Sequence, residues 1–165
     1  MRIRGKVWKL GDNINTDLII AGRYKYDSLD MKELAKHAFE DLDPTLAQKI
    51  KPGDIIVAGK NFGCGSSREQ APEVIKALGV SAIVAESFAR IFFRNAVNIG
   101  LAPIECKGIS EAVETGDEIE VDMEKGEIKI LRTGKILKFK PWPAVVREIL
   151  KSGGMVEYIK KGGVL

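Results

Sequence analysis

The chain has 165 residues, of which 45% are hydrophobic, and its formal net charge at pH 7 is +3. This apolar content is sufficient for a buried core, so we expect residues 1–165 to form one domain. The small net charge and short basic clusters argue against a nucleic-acid-binding surface. No apolar run approaches the roughly 18 residues that span a bilayer, and the N-terminal residues lack a signal peptide's apolar region. We therefore expect a cytoplasmic protein that binds no membrane.

Cysteine and histidine, which hold zinc and iron–sulfur clusters and serve in nucleophile–base pairs, are scarce in this chain. There are two cysteines, Cys64 and Cys106, and one histidine, His37. Two cysteines are too few for a disulfide framework, a zinc site or an iron–sulfur cluster. Any Ser–His or Cys–His pair would need His37, which we expect to be a surface or partly buried residue. We expect no cofactor on this chain.

The first third of the chain predicts a strand, polar loops and short helices. Apolar and polar residues alternate over residues 4–10, which predicts a strand, and residues 11–13 are of the types that form a turn. The polar residues 15–17 predict either a loop near a substrate or an Asx-type turn that holds its own backbone. Residues 21–29 have no clear period and predict a mobile loop.

A capped helix is predicted next. Asp30 and Glu33 have the spacing of a capping box, so we expect a helix over residues 31–39 with an apolar face. Residues 44–50 predict another short helix, and residues 51–54 predict a turn.

The middle of the chain alternates strands and helices. The predicted strands are residues 55–58, 81–85 and 101–105, and the helices between them are residues 69–78 and 89–98. This spacing is typical of parallel strands joined by right-handed crossovers. After Gly116 the period changes to two, and residues 118–122, 127–132 and 135–139 predict an antiparallel meander. Helices over residues 144–151 and 155–161 follow. The predicted fold is α/β: a parallel βαβαβ core, an antiparallel meander and C-terminal helices.

The loop Gly59-Lys-Asn-Phe-Gly-Cys-Gly-Ser-Ser-Arg68 is the strongest candidate for a functional site. Its glycines permit positive φ angles and close approach of a ligand. Ser66 and Ser67 stand where a helix begins, beside free N–H groups, and Arg68 offers a fork suited to a carboxylate or phosphate. The loop matches neither a Walker motif nor a dinucleotide fingerprint. It predicts an anion site, the alternative being a serine-capped turn without a ligand.

A serine hydroxyl is a poor base unless positive charge and N–H donors stabilise its alkoxide. The loop supplies those groups but no electrophile. From its residues alone, the chain therefore provides half of an active site.

Three segments carry a resemblance to a known family. The loop with its continuation Glu69-Gln-Ala71, and the segment Ala85-Glu-Ser-Phe-Ala-Arg-Ile-Phe-Phe-Arg-Asn95, resemble the swivelling β/β/α domain of the aconitase superfamily. Gly11-Asp-Asn-Ile-Asn-Thr-Asp-Leu-Ile-Ile20 resembles the opening motif of that domain in free-standing small subunits. The resemblance covers nearly the whole chain and is closest to 3-isopropylmalate dehydratase small subunits, with homoaconitase small subunits as near relatives.

The resemblance implies a reaction and a partner. In this family a large subunit carries a 4Fe–4S cluster that acts as Lewis acid, and the small subunit covers the cleft. Ser66 would be the catalytic base, Ser67 would hydrogen-bond the substrate and Arg68 would bind a carboxylate. Loss and return of water would convert 2-isopropylmalate into 3-isopropylmalate in leucine biosynthesis. The expected partners are the large subunit and a hydroxy-dicarboxylate, and self-association of the isolated chain stays open.

The resemblance also places substrate selection in the segment Tyr24-Lys25-Tyr26-Asp27. Homoaconitase-type relatives have Tyr-Leu-Arg-Thr there, and their arginine meets an extra carboxylate. Tyr26 takes the arginine's place, and an aromatic ring suits an isopropyl or methyl group. Because Lys25 or Arg23 is able to swing in instead, homoaconitate and citramalate-type substrates remain alternatives. So do a surface loop with packed tyrosines and a non-catalytic anion-binding module.

Four further residues in the loop or on the predicted helix over residues 89–98 are not counted in the site. Arg90, Arg94 and Asn95 on the predicted second helix stand where they would line either the cleft or a subunit interface. Exposed helix charges are usually just solvated, so we do not count these residues in the site. Cys64 is interpreted as a small residue filling the loop, rather than as a reactive thiol.

Overall fold

The computed structural model describes residues 2–24, 30–66 and 69–164, and its described strands form one seven-stranded sheet. Their spatial order is β4-β3-β2-β1-β5-β6-β7. The strands are β1 (Arg2–Lys9), β2 (Ile55–Ala58), β3 (Ala82–Ala85), β4 (Ala102–Glu105), β5 (Glu118–Asp122), β6 (Glu127–Ile130) and β7 (Ile136–Lys138).

Strand β1 joins the two halves of the sheet. It pairs in parallel with β2, Val7 opposite Ile55, and antiparallel with β5, Ile3 opposite Val121. Strands β2, β3 and β4 pair in parallel, whereas β5, β6 and β7 form the meander. The predicted α/β class, parallel core and antiparallel meander are confirmed. The meander continues the same sheet.

Helices cover the sheet and connect its parallel strands. They are α1 (Thr16–Ile19), α2 (Met31–Ala35), α3 (Leu46–Lys49), α4 (Gln70–Ala77), α5 (Arg90–Asn98), α6 (Ile109–Ala112), α7 (Ala144–Ser152) and α8 (Met155–Lys160), with a 3₁₀ turn at Gly22–Tyr24. Within the described ranges, no helix is long and apolar enough to cross a membrane.

The predicted cap of α2 is present, but the helix is shorter than predicted. The Asp30 carboxylate accepts a hydrogen bond from the N–H of Glu33 at 2.9 Å. The helix ends at Ala35 instead of residue 39. Phe39 has a φ angle of 58° and donates its N–H to the carbonyl of Ile19 at 2.9 Å, which a helical residue cannot do. This turn leaves Phe39 buried in the core.

Apolar side chains pack on both faces of the parallel strands. Alternate residues of β2 and β3 point to opposite faces, so that Ile56 and Ile83 join one cluster while Val57 and Val84 join the other. Burial on both faces explains why these strands are continuously apolar in sequence. The loops at the carboxyl ends of the parallel strands lie where open α/β sheets bind ligands.

Candidate active site

Residues 59–66, at the carboxyl end of β2, are fixed between the segments that follow β1 and β3. Hydrogen bonds on the β1 side join Gly59 N to Gly11 O at 3.0 Å, Asn13 N to Lys60 O at 2.8 Å, Lys60 N to Asp12 Oδ1 at 2.7 Å and Gly63 N to Ile14 O at 2.8 Å. On the β3 side, Asn61 N donates to Ser87 Oγ at 2.8 Å, Phe62 N to Ser87 O at 3.0 Å and Ala89 N to Phe62 O at 2.9 Å. The loop is held by its backbone.

The glycines of this loop serve its packing. Gly63 and Gly65 have φ angles of 81° and 93°, which L side chains rarely adopt. A β-carbon on Gly63 would overlap the ring of Phe92 in α5, and one on Gly59 would overlap the carboxylate of Asp12. Beside Gly65, the nearest atom to such a carbon would lie 3.5 Å away. Close approach at Gly59 and Gly63 is therefore to the protein's own side chains.

A cleft of about 500 Å³ lies between this loop and the first turns of α5. Its described lining comprises Thr16, Gly63, Gly65, Ser66, Ala89, Arg90, Ile91, Phe92, Arg94 and Asn95. That lining contains two arginines and no carboxylate, so it favours an anion. Arg90, Arg94 and Asn95, set aside on sequence grounds, lie in the cleft. In the sequence, an arginine on a helix that faces a cleft cannot be told from one that faces solvent. The placement of these residues becomes visible only in the folded structure.

Ser66 lies in this cleft and is exposed to solvent. Its backbone is positioned by Thr16, which is 2% exposed and begins α1. The Thr16 hydroxyl donates to the carbonyl of Ser66 at 2.9 Å, and the Thr16 N–H donates to the carbonyl of Cys64 at 2.9 Å. Asn15 caps the same helix by accepting from Leu18 N at 2.9 Å. Asn15 thus holds its own backbone as a helix N-cap, which agrees with the self-bonded turn that was one of the two predictions for residues 15–17. Thr16 lines the cleft and fixes the carbonyl of Ser66.

The remaining predicted site residues lie mostly outside the described residues. Ser67 and Arg68 fall there, and so do Lys25, Tyr26 and Asp27. Their assigned roles stay predictions.

Tyr24 is part of a polar network, and it does not line the cleft. Its hydroxyl donates to Glu40 at 2.8 Å, and its ring stacks on His37 with the centroids 4.3 Å apart. Arg23 lies over the Tyr24 ring and binds Glu40 and Asp41 at 2.9 and 3.0 Å. Hydrogen bonds from His37, Tyr24 and Arg23 lower the pKa of Glu40 to about 2. Tyr24 is thus held by Glu40, His37 and Arg23, and its predicted contact with the substrate stays a prediction.

His37 and the two cysteines lie outside the described lining of the cleft. His37 is partly buried, as predicted, and its Nδ1 lies 2.6 Å from Glu40. Cys106 is buried, and burial raises the pKa of its thiol to about 11, whereas Cys64 is partly exposed. Among the residues that the structure describes, no three His, Cys, Asp or Glu side chains come together as a metal site.

Comparison with known proteins identifies the family. The aconitase C-terminal domain family matches residues 8–108. The isopropylmalate/citramalate isomerase small subunit of Methanocaldococcus jannaschii is 55% identical over 159 residues, which cover 96% of this chain and 94% of that protein. The 3-isopropylmalate dehydratase small subunit of Thermodesulfovibrio yellowstonii is 56% identical, with 98% and 95% covered. The chain belongs to the 3-isopropylmalate dehydratase small-subunit family.

A solved structure agrees with this membership. The crystal structure of a 3-isopropylmalate dehydratase from Methanocaldococcus jannaschii superposes on this family member with a TM-score of 0.92 at 47% sequence identity. The match covers 98% of this chain and 95% of that one. The predicted resemblance to the family and the predicted fold are confirmed together.

Proposed function

We propose that this chain is the small subunit of 3-isopropylmalate dehydratase, and that with a large subunit it converts 2-isopropylmalate into 3-isopropylmalate. The observation that carries the proposal is the cleft, which is lined by the exposed Ser66 of the loop and by two arginines of α5. The similarity to small subunits along almost the entire chain supports it. Because this reaction belongs to leucine biosynthesis, we place the protein in the cytoplasm.

In this proposal, Ser66 removes the proton from the carbon beside the one that bears the departing hydroxyl. After water has left, the alkene re-orients and water returns at the neighbouring carbon. A serine alkoxide is stable only where positive charge and N–H donors face it. Arg90 and Arg94 in the lining of the cleft provide such charge, and the predicted Arg68 would add to it. The hydroxyl of Thr16 keeps Ser66 in position by donating a hydrogen bond to the Ser66 carbonyl.

The chain's own donors do not fit an iron–sulfur cluster. Its two cysteines are Cys64 and Cys106, and the latter is a buried thiol whose pKa of about 11 disfavours the thiolate that iron needs. We therefore assign the 4Fe–4S cluster to the large subunit. When bound there, such a cluster supplies a Lewis acid for the substrate's hydroxyl and carboxylate.

Citramalate is the second candidate substrate. The name of the Methanocaldococcus jannaschii relative includes citramalate as well as isopropylmalate. Methyl and isopropyl groups are both apolar, and the proposed contacts of Tyr26 suit either one. The reconstituted pair should be assayed on isopropylmalate, citramalate and homoaconitate side by side. Conversion of homoaconitate alone would contradict the proposed substrate class.

A serine substitution tests the proposed base. We expect Ser66→Ala, reconstituted with the cognate large subunit, to lose about 100-fold or more of its turnover, because a general base contributes that much. Turnover is followed by the absorbance of the alkene intermediate, and assembly by size-exclusion chromatography. Ser152→Ala, at the end of α7 and outside the cleft lining, is the control and should retain activity. Full activity in Ser66→Ala would overturn the assignment of the base.

A further inference from the structure

An apolar groove of about 520 Å³ lies between α5 and α7. The apolar part of its lining comprises Phe88, Phe93, Val97, Val146 and Ile149. Phe88, Val97 and Ile149 are buried and form the floor, whereas Phe93 and Val146 are partly exposed. A carboxylate placed on such a floor would lose its hydration without gaining a polar partner. The groove therefore fits an apolar side chain better than it fits a small charged molecule.

The rim of this groove is polar and carries both signs of charge. Arg90, Arg94 and Asn98 follow one another at single-turn spacing along α5, and all three are exposed. Glu105, at the end of β4, adds an exposed carboxylate, whose Oε1 accepts the N–H of Phe88 at 3.2 Å. An apolar centre surrounded by a polar rim is the usual anatomy of a protein–protein interface.

The groove is continuous with the cleft that contains Ser66. Arg90 and Arg94 line both, and Ile91, which lines the cleft, is 50% exposed. In the proposed function the cluster of the large subunit reaches the substrate in this cleft, so the large subunit has to lie over it. A stable interface covers about 800 Å² on each partner, which is much more than the mouth of a 500 Å³ cleft. The contact must therefore extend onto the surface beside the cleft.

Two hollows beside the cleft are candidates for this extension. One is the groove between α5 and α7, which shares two residues with the cleft. The other, of about 240 Å³, lies where α4, α5 and α8 meet, shares Asn95 with the cleft and is bordered by the carboxylates of Glu69 and Glu73. The groove between α5 and α7 is about twice as large. It is the better continuation of the interface, because buried apolar anchors in pockets carry most of the binding energy.

We propose that the groove between α5 and α7 receives an apolar side chain of the large subunit, so that these two helices form the docking surface beside the active site. The matching surface of the large subunit is an apolar projection, flanked by polar groups that meet the arginines and Glu105. This inference rests on the proposed function and adds the place where the subunits meet. A second copy of this chain is the competing occupant, and the experiment separates the two.

Neighbouring valines on α7 provide a matched pair of variants. Val146 lines the groove, whereas Val145 is 37% exposed and lies outside the described lining. We expect Val146→Asp to weaken binding of the purified cognate large subunit by about 30-fold or more, because it places a carboxylate against the apolar floor. Val145→Asp should bind as wild type does, and biolayer interferometry measures both. At saturating large subunit, Val146→Asp should keep the wild-type kcat, since the lining of the cleft is unchanged.

A second variant guards against misfolding, because Val146 also packs against the core. Val146→Phe stays apolar, partly fills the groove and should weaken binding by about 10-fold, with folding checked by thermal denaturation. Wild-type affinity in the folded variants, or equal losses in Val145→Asp and Val146→Asp, would overturn the inference.

Sedimentation of the isolated chain tests the competing occupant. Altered self-association in Val146→Asp, with unchanged affinity for the large subunit, would assign the groove to a second copy and contradict the inference. A wild-type pair that associates without converting isopropylmalate would contradict the proposed function and leave the docking surface standing. No association of the wild-type pair would contradict both.

Discussion

Ser66 gains its position from residues whose roles are visible only in the fold. The loop sequence predicts that Ser66 stands at the start of a helix. In the structure, the carbonyl of Ser66 is also fixed by the hydroxyl of Thr16, which is 50 residues away in the sequence. Likewise, Arg90 and Arg94 are ordinary helical charges in sequence and become cleft residues through the packing of α5 against the loop. Residue types and spacing therefore predict the loop that carries Ser66, whereas the other residues that line the cleft are brought there by tertiary contacts.

The network around Glu40 gives a residue-scale prediction about pH. The pKa of Glu40 falls from its ordinary value of 4.5 to about 2 because His37, Tyr24 and Arg23 bind its carboxylate. A group with a lowered pKa in the folded state stabilises the fold above its unfolded pKa, and this contribution is lost as the pH falls through the folded pKa. We expect Glu40→Gln to lower the free energy of unfolding at pH 7 by about 1 kcal/mol, since the partners are partly solvated.

Urea denaturation of Glu40→Gln and wild type at several pH values measures this effect. The stability difference should be full above pH 4.5 and should shrink as the pH approaches 2. Glu111→Gln is the control, because Glu111 is exposed and makes no ion pair with a described residue. A difference between Glu40→Gln and wild type that does not change with pH would contradict the assigned network.

At the scale of elements, the loop and α5 act as one unit. Gly63 lies against Phe92, and Phe62 contacts Phe88 and Phe92 edge-to-face with ring centroids 5.9 and 5.2 Å apart. These contacts hold the wall that carries the arginines against the loop that carries Ser66. The shape of the cleft therefore depends on the absence of a side chain at Gly63.

Gly63→Ala tests this coupling. The substitution imposes both an unfavourable positive φ and an overlap with Phe92, and we expect a loss of about 2–4 kcal/mol in the free energy of unfolding. Gly134→Ala shares the positive φ, at 73°, but has no atom within 4 Å of the added carbon. It should lose only about 1–2 kcal/mol. Equal losses in the two variants, measured by thermal denaturation, would show that the contact with Phe92 is unimportant.

Helices and strands with a clear hydrophobic pattern are predictable from the sequence, and those without such a pattern are not. Strands β2, β3 and β4 and helices α4 and α5 match their predictions to within about one residue. The strands are buried almost continuously, and each helix buries one face, so both kinds of element leave a clear hydrophobic pattern in the sequence. The short helix α6 was missed. It follows Gly108, and its start is held by Glu86, whose carboxylate accepts the N–H groups of Gly108 and Ser110 at 2.8 Å each. A contact between distant residues leaves no periodic signal.

For the whole molecule, one sheet carries both the cleft and the meander. Strand β1 alone contacts both halves, through β2 on one edge and β5 on the other. The sequence predicts the parallel half from strands that alternate with helices, and the antiparallel half from apolar residues at every second position. Neither pattern shows which strand joins the two halves, because strand pairing depends on the packed fold. The resulting chain presents a cationic cleft with a candidate base, and in our proposal another subunit provides the metal.

The most direct test of this proposal compares the isolated chain, the cognate large subunit alone and their mixture on 2-isopropylmalate. We expect alkene absorbance and 3-isopropylmalate only in the mixture, with the rate rising on addition of this chain until the large subunit is saturated. Turnover by the isolated chain, or a mixture no more active than the large subunit alone, would contradict the account.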